Sequence, residues 1–247
     1  MNLDESPRSP LRKTALVTGG AKRVGRELAL ALARSGMNVV ITFRGSHAEA
    51  AQTVQAIEAL GVQSAALELD VRNEDSVRRT VAATAELFGS IDLLVNNAAV
   101  FESAQLGEIT LDQWDRVFET NTRGPFLMAR EALPYLKAAH GRIVNLGSLG
   151  GSHPWATHAH YCSSKAALHM LTQTMAKAFA PEISVNCVAP GYIELEGAGP
   201  EARHFAAKTP MGRNGTAAAV AEAVLFFAHG PHFITGQILS VDGGLGL

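Results

Sequence analysis

The apolar residues of this chain fall into short solid runs, separated by longer stretches in which they recur every three or four positions. Thr14–Thr18 is the first run, a buried strand that feeds a glycine-rich turn. Arg23–Ser35 then carries Val24, Leu28, Leu30, Ala31 and Leu32 at helical spacing, and Gly36 stops it. The alternation continues through strand Met37–Thr42, helix Ala48–Leu60, strand Ala65–Leu69, helix Asn73–Phe88 and strand Ile91–Val95. Leu111–His140 predicts one long helix with a break near Pro125, followed by strand Arg142–Leu146. Helix His158–Phe179, strand Ile183–Val188, helix Thr216–Ala228 and strand Gln237–Val241 complete the pattern. Gly191–Asn214 has no clear period and reads as an irregular, mobile lid over a binding site.

Solid apolar strands alternating with helices demand right-handed crossovers and a parallel sheet covered on both faces. The expected fold is therefore α/β. It is a single doubly wound, Rossmann-type domain over residues 13–247, with a parallel sheet of about seven strands. Residues 1–12 are polar, contain Pro7 and Pro10, and read as a disordered N-terminal tail without the apolar centre of a signal peptide.

Composition narrows the picture. The chain is 47% hydrophobic and only 18% charged, which leaves little polar material for a surface and points to buried subunit interfaces. A net charge of −2 argues against a grip on nucleic acid or on an anionic membrane. Cys162 and Cys187 fall in a predicted helix and strand and make no disulfide framework, which suits a reducing cytoplasm. His153, His158 and His160 lie close together, but no Cys or acidic ligand accompanies them, so no metal is expected.

The chemistry concentrates in Tyr161-Cys162-Ser163-Ser164-Lys165. Tyr161 and Lys165 lie one helical turn apart on one face. A free phenol titrates near pH ~10, and bringing it to neutrality takes about 4 kcal/mol. One ammonium at about 4 Å supplies that much at an effective dielectric near 20. Ser148 can then hold a substrate oxygen while Tyr161 exchanges a proton with it.

Gly19, Gly20 and Gly25 sit between a strand and a helix, the setting in which backbone amides cradle a pyrophosphate. An NAD-preferring site places a carboxylate after the second strand. Here Thr42-Phe43-Arg44-Gly45-Ser46 offers Arg44 and Ser46, which suit a 2′-phosphate, and Lys22 and Arg23 add positive field. NADPH/NADP+ is the expected cofactor.

These stretches, with Asn96-Asn97-Ala98-Ala99, Asn121 and Pro190-Gly191, resemble the short-chain dehydrogenase/reductase family in order and spacing from Lys13 to Gly244. The resemblance implies that Asn121 helps hold Lys165 through water and that Ser148 orients the substrate. It makes Tyr161 the acid/base, and makes Lys165 the residue that tunes Tyr161 and binds the nicotinamide ribose. It also implies that Gly19, Lys22, Arg23 and Val24 face the phosphates and that Asp70-Val71 flank the adenine. Asn97-Ala98 would lie near the ribose, with Pro190-Gly191 bent around the nicotinamide. Tyr192-Ile193-Glu194-Leu195 stands where a threonine commonly follows to hold the carboxamide, and Tyr192 is taken as substrate-facing. Arg23 replaces the family's usual glycine, as in the pteridine-reductase branch, and Phe101 stands where that branch places an aromatic. Against that branch, Ser148 stands in place of its Asp and Ala99 in place of a hydroxyl residue. The implied activity is NADPH-dependent reduction of a ketone or 3-oxoacyl carbonyl by a homotetramer. The alternatives are a dihydropterin reductase and a catalytically silent nucleotide sensor.

Overall fold

The computed structural model describes residues 12–195, 197 and 199–247; all of the expected tail but Arg12 lies outside them. Seven parallel strands form one sheet: β1 (Thr14–Val17), β2 (Asn38–Phe43), β3 (Ser64–Glu68), β4 (Leu93–Asn96), β5 (Arg142–Leu146), β6 (Ser184–Pro190) and β7 (Ile238–Val241). Their order is β3-β2-β1-β4-β5-β6-β7, so the winding direction reverses between β1 and β4. That reversal opens a crevice at the carboxyl ends of the strands, where doubly wound sheets take their ligands.

Residues on a strand point alternately to the two faces, and both faces here are apolar. Val17, Val39, Ile41 and Val95 join the core beneath α1 (Arg23–Arg34), α2 (His47–Glu58) and α8 (Ala217–His229). Their neighbours Leu16, Val40, Leu94 and Ile143 join the opposite core beneath α3 (Glu74–Phe88), α5 (Gly124–Ala138) and α6 (Ala159–Phe179). Caps fix the helix starts: the Asn73 side chain accepts from Ser76 N, and Thr216 from Ala219 N.

One expectation is refined and another corrected. The long helix expected over 111–140 with a break near Pro125 is α4 (Leu111–Phe118) and α5, run together through a π turn at Glu119–Arg123 that ends two residues before that proline. The wider turn carries the buried Thr120 and Asn121 and stands directly before Pro125, which has no amide to give to the continuing helix. The supposedly irregular 191–214 stretch contains α7 (Glu201–Lys208). At barely two turns, α7 is too short for its period to register in sequence. Its surroundings are tied down by a Tyr192–Phe205 ring stack at 4.4 Å and by Asn214 Nδ2 donating to Glu194 at 3.0 Å.

Among the described residues no helix is long and apolar enough to cross a membrane. Among the same residues, no three His, Cys, Asp or Glu side chains converge as a metal site would.

Candidate active site

A cleft of about 550 Å³ lies over the carboxyl ends of β1, β2, β3 and β4. It gathers Gly19, Lys22, Arg23, Val24, Arg44, Ser46, Asp70, Val71, Asn97 and Ala98, ten residues expected to bind cofactor. A Cβ on Gly25 would collide with the Gly19 carbonyl and crowd Asn97 Nδ2, so only glycine lets α1 start against this turn. The Thr18 hydroxyl accepts from the backbone of both Asn97 and Ala98 at 3.0 Å, and Asn97 Nδ2 donates to the carbonyls of Thr18 and Gly19. Asn97 thus lines the cleft while its amide is spent bracing the turn.

Arg23 has φ +53°, a left-handed conformation that glycine adopts without strain and an arginine does not. Lys22 and Arg44 stand exposed at the same mouth, Lys22 at 4.0 Å from Glu49. Ser46 is the N-cap of α2 and makes no side-chain cap bond. Asp70 is held below its ordinary carboxylate range, chiefly by Arg72, which grips it with contacts of 2.9 and 2.6 Å; Arg44 adds a weaker pull. Small residues at the turn, a helix N-terminus and exposed cations suit a dinucleotide's pyrophosphate and an added phosphate.

Beyond the cleft, β5 ends at the turn carrying Ser148, and α6 presents Tyr161 and Lys165. Ser148 is buried and accepts from Gly150 N at 3.1 Å. Burial pushes the Tyr161 phenol above its ordinary value, and the neighbouring Ser148 hydroxyl opposes the rise. Lys165 is buried; burial lowers it to about 8, and its ammonium donates to the Leu146 carbonyl at 2.7 Å. That ammonium lies 5.9 Å from the Tyr161 ring centroid. The Leu146 carbonyl takes one of the three ammonium N–H groups.

Asn121 is buried in the π turn. Its side chain clamps the main chain of Val100, accepting from the amide at 2.8 Å and donating to the carbonyl at 2.9 Å, and it reaches Ser164 at 3.1 Å. It braces the segment after β4 and the residue beside Lys165, and does not touch the lysine. Pro190 ends β6; it, Gly191 and Tyr192 lie outside the cleft lining, whereas Leu195 belongs to it. Phe101 lies edge-on to Tyr161, centroids 4.8 Å apart.

The three clustered histidines diverge. His153 meets the Gly246 carbonyl at 2.9 Å, His158 stacks on Phe101, and His160 is buried. Burial raises the Cys162 thiol, and Cys187 is pushed up to about 12, so neither is a ready thiolate. Sequence reasoning passed over Thr18, Leu195 and His169. The His169 ring fills a notch left by the absent side chains of Gly147 and Gly151, on either side of Ser148. Its spacing of one turn after Lys165 was the available signal.

The family model described as enoyl-(acyl carrier protein) reductase matches residues 19–246. An uncharacterized oxidoreductase of Methylorubrum extorquens is 36% identical, the match covering 94% of this chain and 97% of that protein. The 3-oxoacyl-[acyl-carrier-protein] reductase FabG of Staphylococcus aureus is 35% identical over 95% of this chain and 98% of its own. Among solved structures, a blue fluorescent protein from a metagenomic library, in complex with NADPH, aligns with TM-score 0.91 at 32% identity. That alignment covers 97% of this chain and 100% of the other. The chain belongs to the short-chain dehydrogenase/reductase family, a family of oxidoreductases that use a nicotinamide cofactor.

Proposed function

We propose that this protein is an NADPH-dependent carbonyl reductase acting on a small ketone or 3-oxoacyl compound, with Tyr161 as proton donor. The observation that carries this reading is a cation-mouthed dinucleotide cleft together with buried Ser148 and Lys165 and a half-buried Tyr161, which Phe101, next in the chain to the cleft-lining Val100, meets edge-on. Gly19, Val24, Asp70, Val71, Asn97 and Ala98 would hold the dinucleotide, with Pro190 and Gly191 at its nicotinamide end. Lys22, Arg23, Arg44 and Ser46 would hold its 2′-phosphate. The NADPH bound by a relative of the same fold supports this choice.

When bound, NADPH supplies the hydride for the carbonyl carbon and leaves as NADP+. The residues of this chain handle the oxygen. Ser148 orients it, the carbonyl π pair moves onto it, and it takes the Tyr161 proton to give the alcohol. Tyr161, raised by burial, keeps that proton throughout the neutral range. Lys165 holds the ribose and supplies positive charge behind the phenol. Asn121 is a positioning residue through Val100 and Ser164. A homotetramer in the cytoplasm is the expected setting. The test is NADPH absorbance loss across a panel of ketones and 3-oxoacyl thioesters. Protein that binds NADPH but oxidises none of it on any carbonyl would overturn this reading.

A further inference from the structure

Three aromatic rings gather around the Tyr161 phenol. Phe101 stacks on His158, with centroids 4.7 Å apart and planes within 20°, and meets Tyr161 edge-on at 4.8 Å. Trp155 runs parallel to Tyr161 at 6.1 Å and stands edge-on to His158 at 5.8 Å. These are the offset and edge geometries that ring quadrupoles favour.

The cluster is built rather than accidental. Phe101 comes from the segment after β4, Trp155 and His158 from the stretch between the Ser148 turn and α6, and Tyr161 from α6 itself. The Ala104 amide donates to the Thr157 carbonyl at 2.9 Å and ties the two segments together. Gly150 completes the fit. A Cβ there would stand 3.1 Å from the Trp155 ring, so its absence lets the indole close over the turn that carries Ser148. Nonetheless Phe101 remains 62% exposed, a flat apolar surface facing water directly beside Tyr161. Glu102, next in the chain to Phe101, is compensated by Arg116 at 2.8 and 2.7 Å. His158, lowered by burial, is neutral at physiological pH. An uncharged wall of rings suits a neutral flat ring better than a flexible or anionic chain.

We infer that Phe101, Trp155 and His158 form the substrate-binding wall, and that it selects a ketone conjugated to a flat aromatic ring. The ring lies on Phe101, and the carbonyl oxygen reaches Tyr161 and Ser148. This rests on the carbonyl-reductase reading and names its substrate class.

The experiment compares 1-tetralone, an aryl ketone, with the aliphatic ethyl acetoacetate, both with NADPH, and includes dihydrobiopterin as a third arm. The kcat/KM for 1-tetralone should exceed that for ethyl acetoacetate by about tenfold or more. Phe101→Ala should lower the 1-tetralone value about tenfold, mainly through KM, and change the aliphatic ketone less than about threefold, while Phe101→Tyr retains the wild-type preference. A Trp114→Phe background leaves Trp155 as the single tryptophan, and 1-tetralone should quench its fluorescence at concentrations near KM. Preferential reduction of ethyl acetoacetate, or an equal loss on both ketones in Phe101→Ala, overturns the inference and leaves the carbonyl-reductase reading standing. Reduction of neither ketone by protein that binds NADPH overturns the inference, and that reading falls with it only if no carbonyl of the wider panel is reduced. Faster turnover of dihydrobiopterin than of either ketone assigns the wall to a pterin and overturns the inference as well.

Discussion

Lys165 gives its ammonium to the Leu146 carbonyl at the end of β5, 2.7 Å away, and stands over the Tyr161 ring at 5.9 Å from its centroid. The lysine therefore ties helix α6 to the sheet while placing a charge behind the phenol. Burial acts on the two groups in opposite senses, raising the phenol and lowering the ammonium to about 8.

Reduction requires the protonated phenol and benefits from the charged lysine, and both are lost upward in pH. The kcat/KM for carbonyl reduction should be level at neutral pH and decline as pH rises through about 8, where Lys165 discharges. Tyr161→Phe should lower turnover about 10²-fold or more at every pH, the usual scale of acid/base catalysis, with NADPH affinity nearly unchanged. A pH-rate profile of both proteins with one ketone checks this; a mutant of comparable turnover would remove Tyr161 from the chemistry.

Lys165 also makes a prediction about stability. Its folded value near 8 lies below the ordinary 10.5. The unfolded chain then binds the proton more tightly between these values, and stability rises with pH across that window. Below pH 8 the full cost of the buried charge is present. Lys165→Met should melt higher than wild type at pH 7, with the gap narrowing toward pH 10, while activity collapses. Thermal melts across pH without added nucleotide measure it. A mutant that melts lower at pH 7 would mean the Leu146 bond outweighs the burial cost.

Arg44 is the residue on which nucleotide choice should turn. Arg44→Asp puts a negative charge where the 2′-phosphate would sit and offers the ribose hydroxyls an acceptor. Loss of one charge-assisted contact corresponds to about 10- to 150-fold in the NADPH/NADH ratio of kcat/KM. An unchanged ratio moves the selectivity to Lys22 or Arg23.

The glycine turn holds two positions with opposite expectations. Arg23→Gly relieves the φ of +53°, worth about 1–2 kcal/mol. After the entropy that glycine adds to the unfolded chain, the net gain should be about 0.5 kcal/mol, a rise of one or two degrees in Tm. If Arg23 contacts a phosphate, NADPH binding weakens at the same time. Gly25→Ala forces a Cβ into the Gly19 carbonyl and should abolish NADPH binding. Calorimetric titration of both variants separates the two effects.

Assembly can be read by light scattering. Leu111 on α4, Phe126 on α5 and Met170 on α6 are large apolar side chains left exposed, and contact with further copies would cover them. The expected mass is four times the 26.1 kDa chain, and a monomer at micromolar protein would contradict it.

What the sequence determined by itself is whatever depends on neighbours along the chain. Seven strands and their parallel order follow from solid apolar runs alternating with helical ones. The common face of Tyr161 and Lys165 follows from the helical repeat, and Gly25 from the strand-turn-helix setting. Tertiary structure decided everything that depends on which strand lies beside which. Placing β4 next to β5 brings Phe101 against His158 and Tyr161, and a π turn aims the Asn121 side chain at the Val100 main chain. The Leu146 carbonyl claims Lys165, and the notch beside Ser148 receives His169. These contacts join residues far apart in the chain, and local periodicity carries no information about such pairs. Arg23 shows both levels at once. Its departure from glycine is visible in the sequence, but the left-handed backbone that makes the departure costly exists only once α1 is packed against the turn.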